Sequence, residues 1–179
     1  MNYVYYSDNL NVLRKMESGS VDLIYIDPPF NTGKLQSHTS IKTIRDEKGN
    51  RIGFQGNAYH TIEVGTKSYL DVFENTIPDF LSDDKIAAYQ KTAPYISLGF
   101  IEGFLRPRLE EAYRILKPYG SLYFHIDYRE VHYCKILLDD IFGRECFINE
   151  IIWAYDFGGK AKTRWPSKHD NILFYAKNP

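Results

Sequence analysis

A carboxylate, two consecutive prolines and an aromatic ring stand together at Asp27-Pro28-Pro29-Phe30. The prolines fix their own backbone torsions and remove two N–H donors, so Asp27 is a hydrogen-bond acceptor on a rigid turn. A carbonyl of the Pro-Pro turn offers a second acceptor, and Phe30 offers a ring face. Two acceptors beside a stacking ring suit a planar base that carries an exocyclic amino group.

Such a turn can activate an amine for methyl transfer. If Asp27 and the Pro28 carbonyl hold both N–H bonds while Phe30 stacks on the base, the nitrogen becomes pyramidal and its lone pair can attack an electrophilic methyl group. The carboxylate also stabilises the positive charge that develops on the amine. A base in a duplex reaches this turn only by leaving the helical stack, at a cost of a few kcal/mol.

The alternative is that Asp-Pro-Pro merely ends a strand with a stiff turn, which a bare three-residue match would favour. The continuation Asn31-Thr32-Gly33 and the apolar run Val21–Asp27 before the motif favour a site instead. The run predicts a strand buried on both faces, as in a parallel sheet. Ligands of open α/β sheets bind at the carboxyl ends of such strands.

Before this strand, residues 3–6 predict a short strand, and residues 9–16 predict a helix capped by Asp8 or Asn9. Residues 34–94 are polar and rich in turn residues, so we expect a long insertion or loop region with a hairpin between 41–44 and 51–54.

Regular periodicity returns after this region. Residues 96–117 predict an amphipathic helix, which Pro107 kinks or divides and residues 118–120 end. The remaining elements are expected to be strands at 121–127, 149–155 and 171–177 and a helix at 130–142. This order predicts an α/β layered sheet that is mostly parallel, with an antiparallel pair at its end.

Composition excludes several classes of protein. With 22 Lys and Arg against 23 Asp and Glu, the 179-residue chain carries a net charge of −1, so it does not coat nucleic acid by charge alone. No apolar run reaches the ~18 residues of a membrane span. Two cysteines without a CxxC pair fit a reducing cytosol, and they argue against a disulfide scaffold or a zinc site.

A local basic patch remains between the last two predicted strands. Residues 158–168 hold four basic side chains, no acid and one tryptophan: Lys160, Lys162, Arg164, Lys168 and Trp165. Such a loop can grip DNA phosphates and help hold an extruded base, and this is the interpretation we favour. The alternative is a solvated surface loop.

The segment Asp27-Pro28-Pro29-Phe30-Asn31-Thr32-Gly33 resembles the catalytic motif of amino-group DNA methyltransferases, specifically the beta-class, circularly permuted enzymes that methylate adenine N6 or cytosine N4. Further segments resemble that family in the expected order: residues 7–13, 106–118, 120–127, 149–155 and 169–177.

The resemblance implies a Rossmann-like methyltransferase sheet and S-adenosylmethionine-dependent methylation of adenine N6 in double-stranded DNA. It implies that Asp27, Pro28, Pro29 and Phe30 are catalytic, and that aspartate at the first position favours adenine; cytosine N4 stays open. No metal is expected, because methyl transfer from a sulfonium needs none.

The resemblance also implies a set of cofactor-binding residues. Asp8 would accept a hydrogen bond from the cofactor's adenine amino group, although a helix N-cap is an equal alternative. Asn31, Thr32 and Gly33 would shape the junction between cofactor and base, the alternative being an ordinary turn.

The order of segments predicts a permuted and incomplete enzyme. Only 26 residues precede Asp27, fewer than the ~30 that a βαβ unit needs. The family's Phe-x-Gly-x-Gly cofactor turn is not found, since residues 157–159 and 99–103 have the wrong spacing. We therefore interpret residues 1–179 as the catalytic half, without the first strands, the cofactor turn and the recognition region. A second chain would carry the cofactor half; the rivals are a non-catalytic DNA-binding subunit and a nonfunctional remnant.

Overall fold

The computed structural model describes residues 2–49, 51–53, 56–73, 76–156 and 162–179. Their contacts divide the chain into two compact units. We call Met1–Phe30 together with Phe73–Pro179 the main unit, and Asn31–Val72 the ribbon unit. No helix among the described residues combines the length and the apolar character that crossing a membrane requires.

The main unit is a four-stranded sheet with helices. Its strands are β1 (Val21–Ile26), β5 (Leu116–Asp127), β6 (Phe147–Ala154) and β7 (His169–Ala176), in the spatial order β1-β5-β7-β6. Its helices are α1 (Asn9–Leu13), α2 (Asp83–Thr92), a π-helical segment (Gly99–Leu105), α3 (Arg106–Ile115), α4 (Val131–Phe142) and a 3₁₀ turn (Arg144–Cys146).

The sheet is mixed rather than mostly parallel. β1 pairs with β5 in parallel, whereas β7 runs antiparallel to both β5 and β6. β1, β5 and β6 share one direction, as expected, but β7 inserts between β5 and β6 and makes both of its ladders antiparallel. The expected antiparallel pair at the end of the chain is confirmed, and the expectation of mostly parallel pairing is wrong.

The core lies on one face of β5. Leu122, Phe124 and Ile126 are 0% exposed, because alternate strand residues point to the same face. They join a single apolar cluster with side chains of the π-helical segment, α3, α4 and β7, among them Phe100, Leu105, Leu109, Leu138 and Tyr175. The residues between them, Tyr123 and His125, are only half-buried on the opposite face.

β1 is not buried on both faces, contrary to the sequence-based expectation. It is an edge strand, and Leu23 and Tyr25 are 56% and 52% exposed. The strand expected at residues 3–6 is also wrong, since these residues form no strand and their side chains are largely exposed. A four-residue aromatic run gains strand structure only from a neighbouring strand, and the order of the sheet gives it none.

The helix expected over 96–117 is divided, as Pro107 indicated. The π-helical segment gives way to α3 at Arg106, and Pro107 occupies the first turn of α3, where a missing N–H is tolerated. Residues 118–120 do not end the helix; they belong to β5. There the register shifts, since Val21 pairs with Leu116 but Leu23 pairs with Ser121, which leaves the Pro-Tyr-Gly stretch in a bulge.

The ribbon unit corrects the expectation of a loop region over 34–94. Strands β2 (Lys34–Arg45) and β4 (Ala58–Asp71) form a long antiparallel ladder, and β3 (Arg51–Ile52) pairs with β4. β2 therefore pairs with β4 and not with residues 51–54, of which residue 54 lies outside the described part. The ribbon is mostly exposed on both faces, so its residues lack the apolar alternation from which strands are predicted.

The burial of β5 predicts an asymmetric response to truncation. We expect Phe124→Ala to lower the free energy of unfolding by about 3–5 kcal/mol, because it removes a fully buried ring. Leu23→Ala, at an exposed position of β1, should cost no more than about 0.5 kcal/mol. Urea denaturation followed by circular dichroism measures both, and equal losses would contradict this assignment of the core face.

Candidate active site

The Asp27 turn directly follows β1, at the carboxyl end of that strand. The strand ends at Ile26, which pairs with Phe124 of β5, so the next residues of the two strands, Asp27 and His125, are neighbours. The Asp27 side chain is 59% exposed, whereas Pro28 and Pro29 are half-buried. The carboxylate is therefore accessible to a ligand while its backbone is fixed.

Asp27 and Phe30 meet at one side chain, His125. An Asp27 carboxylate oxygen lies 3.6 Å from His125 Nδ1. The Phe30 ring stands edge-on to the imidazole, with 5.4 Å between ring centroids. The structure thus brings together the acidic and the aromatic members of the motif, as a site for a base requires.

His125 has three further neighbours. The Tyr25 hydroxyl lies 2.9 Å from Nδ1, an Asp170 carboxylate oxygen lies 3.5 Å from Nε2, and the Trp153 ring is nearly parallel to the imidazole at 6.2 Å. We call the resulting group the His125 cluster; its members are Tyr25, Asp27, Phe30, His125, Trp153 and Asp170.

Neither His125 nor Trp153 is among the site residues expected from the sequence, and a tryptophan within a strand is by default expected in the core. Trp153 is instead 57% exposed and lies beside His125. The signal that was missing is the register of three strands: Trp153 pairs with Asp170, and His125 pairs with Ile172, which places these side chains on one face. Local sequence does not encode that register.

A cavity of about 250 Å³ borders the Asp27 turn within the main unit. On one side it is lined by β1 and the turn, from Tyr25 to Pro29. On the other sides it is lined by Asn9, Leu13, Phe104, Leu105, Arg108 and Leu109. Its walls are therefore mostly apolar, with polar atoms from Asn9, Asp27 and Arg108.

Arg108, which lines this cavity, also contacts Asp8. Its guanidinium donates to Asp8 Oδ2 at 2.7 Å and to Asn9 Oδ1 at 2.9 Å, and it lies 3.9 Å from the Phe104 ring centre. Sequence reasoning missed Arg108, because its partners are about a hundred positions away.

The expected N-cap role of Asp8 is confirmed, since the Leu10 N–H donates to its Oδ1 at 2.8 Å. That hydrogen bond and the Arg108 guanidinium hold the pKa of Asp8 below its usual value, so its carboxylate is charged at neutral pH. The expected hydrogen bond from Asp8 to a cofactor stays a prediction.

Asn31, Thr32 and Gly33 begin the ribbon unit as a strained turn. Asn31 and Gly33 have φ values of +52° and +71°, a region that asparagine and glycine tolerate best. Asp71 holds this turn: its carboxylate accepts the Asn31 and Thr32 N–H groups at 3.0 and 3.1 Å, and its carbonyl accepts the Gly33 N–H. Asp71 is only 2% exposed, and nothing in the sequence distinguished it.

The basic loop is partly described. Lys160 lies outside the described residues. Lys162, Arg164 and Trp165 are exposed, Trp165 at 94%, so all three are accessible to a large ligand. Lys168 is half-buried and its Nζ donates to the Asp156 carbonyl at 2.7 Å. The described part of the loop, residues 162–168, is thus mostly at the surface, as both interpretations require, but Lys168 already donates a hydrogen bond.

The described acids and histidine of the site are not arranged to hold a metal ion. Over the part of the chain that the structure describes, no group of three or more His, Cys, Asp or Glu side chains is placed to hold a metal ion. Cys134 and Cys146 are buried in the apolar core, and burial raises the pKa of both thiols.

Comparison with known proteins identifies a family. A family model described as DNA methylase matches residues 21–179. The chain is 29% identical over 95% of its length to the type III restriction-modification enzyme StyLTI Mod subunit of Salmonella typhimurium, and 29% identical over 98% to the type II methyltransferase M.KpnI of Klebsiella pneumoniae. It is 25% identical over 97% to M.HpaI of Haemophilus parainfluenzae. The chain spans 23%, 32% and 38% of these relatives, respectively.

The hydrogen bonds that Asp71 accepts predict a measurable effect of its substitution on the turn after Phe30. We expect Asp71→Asn to raise the hydrogen-exchange rates of the Asn31 and Thr32 amides roughly 5- to 100-fold, because an amide NH₂ would face a half-buried N–H donor, at a cost of about 1–3 kcal/mol. NMR-detected exchange measures this.

The matched control is Asp46→Asn. Asp46 also accepts a backbone N–H, that of Lys48 at 2.9 Å, but on the exposed surface. This variant should leave the Asn31 and Thr32 amides unchanged. Unaltered exchange in Asp71→Asn would show that Asp71 does not hold the turn.

Proposed function

The chain belongs to the DNA methylase family, and we propose that it transfers a methyl group from S-adenosylmethionine to the exocyclic amine of a base in double-stranded DNA. The observation that carries this proposal is the Asp27 turn: an accessible carboxylate and an aromatic ring meet at His125 at the carboxyl end of β1. The names of the relatives, type II and type III methyltransferases, support the same reaction.

In the proposed reaction the target base leaves the duplex and stacks on Phe30. Asp27 and the Pro28 carbonyl accept its two N–H bonds, which directs the nitrogen lone pair at the methyl group. The Asp27 carboxylate then balances the positive charge on nitrogen. The exposure of Asp27, at 59%, supports this role, because an extruded base reaches the carboxylate without displacing protein.

We propose adenine N6 as the target atom. The argument is the resemblance of Asp27-Pro28-Pro29-Phe30 to the adenine form of the motif, which begins with aspartate. Cytosine N4 is the second candidate, because its amine presents the same two N–H bonds to the same two acceptors.

S-adenosylmethionine is the methyl donor of DNA methylases of this family, and when bound it supplies the electrophilic methyl group. The cavity beside the Asp27 turn fits part of it: Phe104 and Leu13 offer apolar surface, and Arg108 and Asn9 offer polar groups. Its volume of about 250 Å³ lies below the ~300–1,000 Å³ of sites that enclose a drug-sized ligand. We propose that Asp8 helps to bind the cofactor by accepting a hydrogen bond on a carboxylate lone pair that Leu10 and Arg108 leave free. We propose that residues 31–33 shape the junction between the cofactor and the base.

We further propose that residues 1–179 form the catalytic half of a Rossmann-like, permuted methyltransferase. The greater length of the relatives leaves room for a cofactor turn and a recognition region in the same chain or in a second chain. The rival proposal is a non-catalytic DNA-binding subunit. It would be favoured if the complete gene product bound DNA without methylating it.

For the basic loop we propose DNA contact through Lys160, Lys162, Arg164 and Lys168, with Trp165 beside the extruded base. The exposure of Lys162, Arg164 and Trp165 supports this role. The hydrogen bond of Lys168 to the Asp156 carbonyl makes Lys168 the weakest candidate, because its ammonium group is partly engaged.

The catalytic proposal predicts a large loss of activity in Asp27→Ala. We expect methyl transfer to unmethylated bacterial genomic DNA to fall about 100- to 1,000-fold, because the variant lacks the carboxylate that balances charge on the amine. The enzyme is tested as the complete gene product with any subunit that co-purifies. Mass spectrometry of the digested nucleosides should detect N6-methyladenine with the unaltered enzyme.

The matched control is Asp22→Asn, a change on the same strand at a carboxylate that pairs with Lys117 away from the turn. Its activity should equal that of the unaltered enzyme. If the product is N4-methylcytosine, the target base is cytosine and not adenine. Retained activity in Asp27→Ala would refute the role of Asp27.

The loop proposal predicts a change in the salt dependence of DNA binding. Arg164→Ala should weaken binding to duplexes of any sequence and reduce the slope of log K against log salt by about one, because one phosphate contact is lost. Fluorescence anisotropy at several salt concentrations measures the slope. An unchanged slope would mean that the loop is only a solvated surface.

A further inference from the structure

His125 lies between two carboxylates. Asp27 is 3.6 Å from Nδ1, and Asp170 is 3.5 Å from Nε2. The imidazole is 15% exposed, Asp170 is 22% exposed and Asp27 is 59% exposed. The imidazole of His125 is therefore mostly buried and lies between the accessible Asp27 and a second, less exposed acid, Asp170.

The hydrogen bonds around the ring favour one tautomer. The Tyr25 hydroxyl, 2.9 Å from Nδ1, can donate to it. Nε2 is buried, makes no hydrogen bond with any described residue, and has the Asp170 carboxylate as a nearby acceptor. A carboxylate lies near each ring nitrogen, so the Tyr25 hydroxyl decides: with this hydroxyl donating to Nδ1, the proton of the neutral ring is on Nε2, where the Asp170 carboxylate can accept it, and Nδ1 keeps its lone pair. The Asp27 carboxylate lies 3.6 Å from the same nitrogen.

Packing alone does not account for a histidine here. An apolar ring between Phe30 and Trp153 would fill the same space without a buried nitrogen that lacks a hydrogen bond, which costs free energy. The buried Nε2, which lacks a hydrogen bond to any described residue, therefore indicates a role for the imidazole beyond packing. Methylation of an amine creates one, because the product nitrogen carries an extra proton.

We propose that His125 is a positioning residue for Asp27 and receives, through Asp27, the proton that the target amine releases on methylation, while Asp170 balances the charge of the imidazolium. This rests on the proposed function. The separation of 3.6 Å between Asp27 and Nδ1 is longer than a hydrogen bond; contacts of this kind often tighten only when substrate is bound.

The transfer balances in atoms and charge. The amine lone pair forms the N–C bond, and the C–S bond breaks with its electron pair passing to sulfur, which becomes a neutral thioether. The cationic nitrogen releases one proton to the Asp27 carboxylate, and the carboxyl passes it to His125 Nδ1. Tyr25 is 52% exposed, so its hydroxyl can turn to solvent and accept from the new N–H.

The first test needs neither DNA nor cofactor. In ¹⁵N-histidine-labelled protein near pH 8, the ring-nitrogen shifts of His125 should report a protonated Nε2 and an unprotonated Nδ1. His125→Asn identifies the signals among the five histidines. Asp170→Asn should reduce the excess of this tautomer at least about threefold, because the acceptor at Nε2 is lost, whereas Asp22→Asn should not alter it. A protonated Nδ1 in the unaltered protein would overturn the proposal.

The second test separates proton transfer from hydrogen bonding. His125→Asn places an amide near the position that Nδ1 occupies in the unaltered protein. The amide can contact Asp27, but it cannot accept and pass on a proton. In the complete enzyme we expect its single-turnover rate on unmethylated genomic DNA to fall about 100-fold. The KM for S-adenosylmethionine should stay within about twofold. Asp170→Asn should lower the rate about 10-fold at an unchanged KM.

The outcomes distinguish this inference from the proposed function. Methylation by the unaltered enzyme together with more than half the rate in His125→Asn would overturn the proton path and leave the function standing. No methylation by the unaltered enzyme would contradict both. A lower rate with a KM raised in proportion would assign His125 to binding and overturn its role in the chemical step.

Discussion

The parallel ladder between β1 and β5 is the constraint on which the site depends. It pairs Ile26 with Phe124, so the chain leaves both strands with Asp27 beside His125. The same ladder sets the Tyr25 hydroxyl 2.9 Å from an imidazole 100 positions away in the chain. The two prolines then limit how far the backbone after Asp27 can move. A slip of one residue would send His125 to the helix-covered face and separate it from Asp27.

The turn of the candidate site was predictable because it consists of consecutive residues. An acid, two prolines and an aromatic ring define a rigid acceptor beside a ring without any knowledge of the rest of the chain. The helices at 130–142 and around Pro107 and the strands at 149–155 and 171–177 were also predictable, since each has strong periodicity or a clear glycine or proline boundary. In the structure α4, β6 and β7 begin and end within two residues of their expected bounds, whereas the divided helix begins three residues after its expected start at 96.

The remaining features depend on pairing between distant segments. β7 inserts between β5 and β6, which turns two ladders antiparallel although three strands share a direction. The ribbon unit is exposed on both faces, so its long strands leave no apolar pattern. Arg108 and Asp71 act through partners far along the chain, and a sequence gives no sign of such contacts. Exposed Trp153 looked like core for the same reason, because its neighbour His125 belongs to another strand.

The central claim is that Asp27 and Phe30 together hold the amino group of an extruded base. A crystal structure of the complete enzyme with duplex DNA and S-adenosylhomocysteine tests it most directly. The account predicts an adenine outside the stack, its N6 about 3 Å from the Asp27 carboxylate and the Pro28 carbonyl, and its ring against Phe30. A base bound elsewhere, or an extruded base whose amine contacts neither acceptor, would contradict the claim.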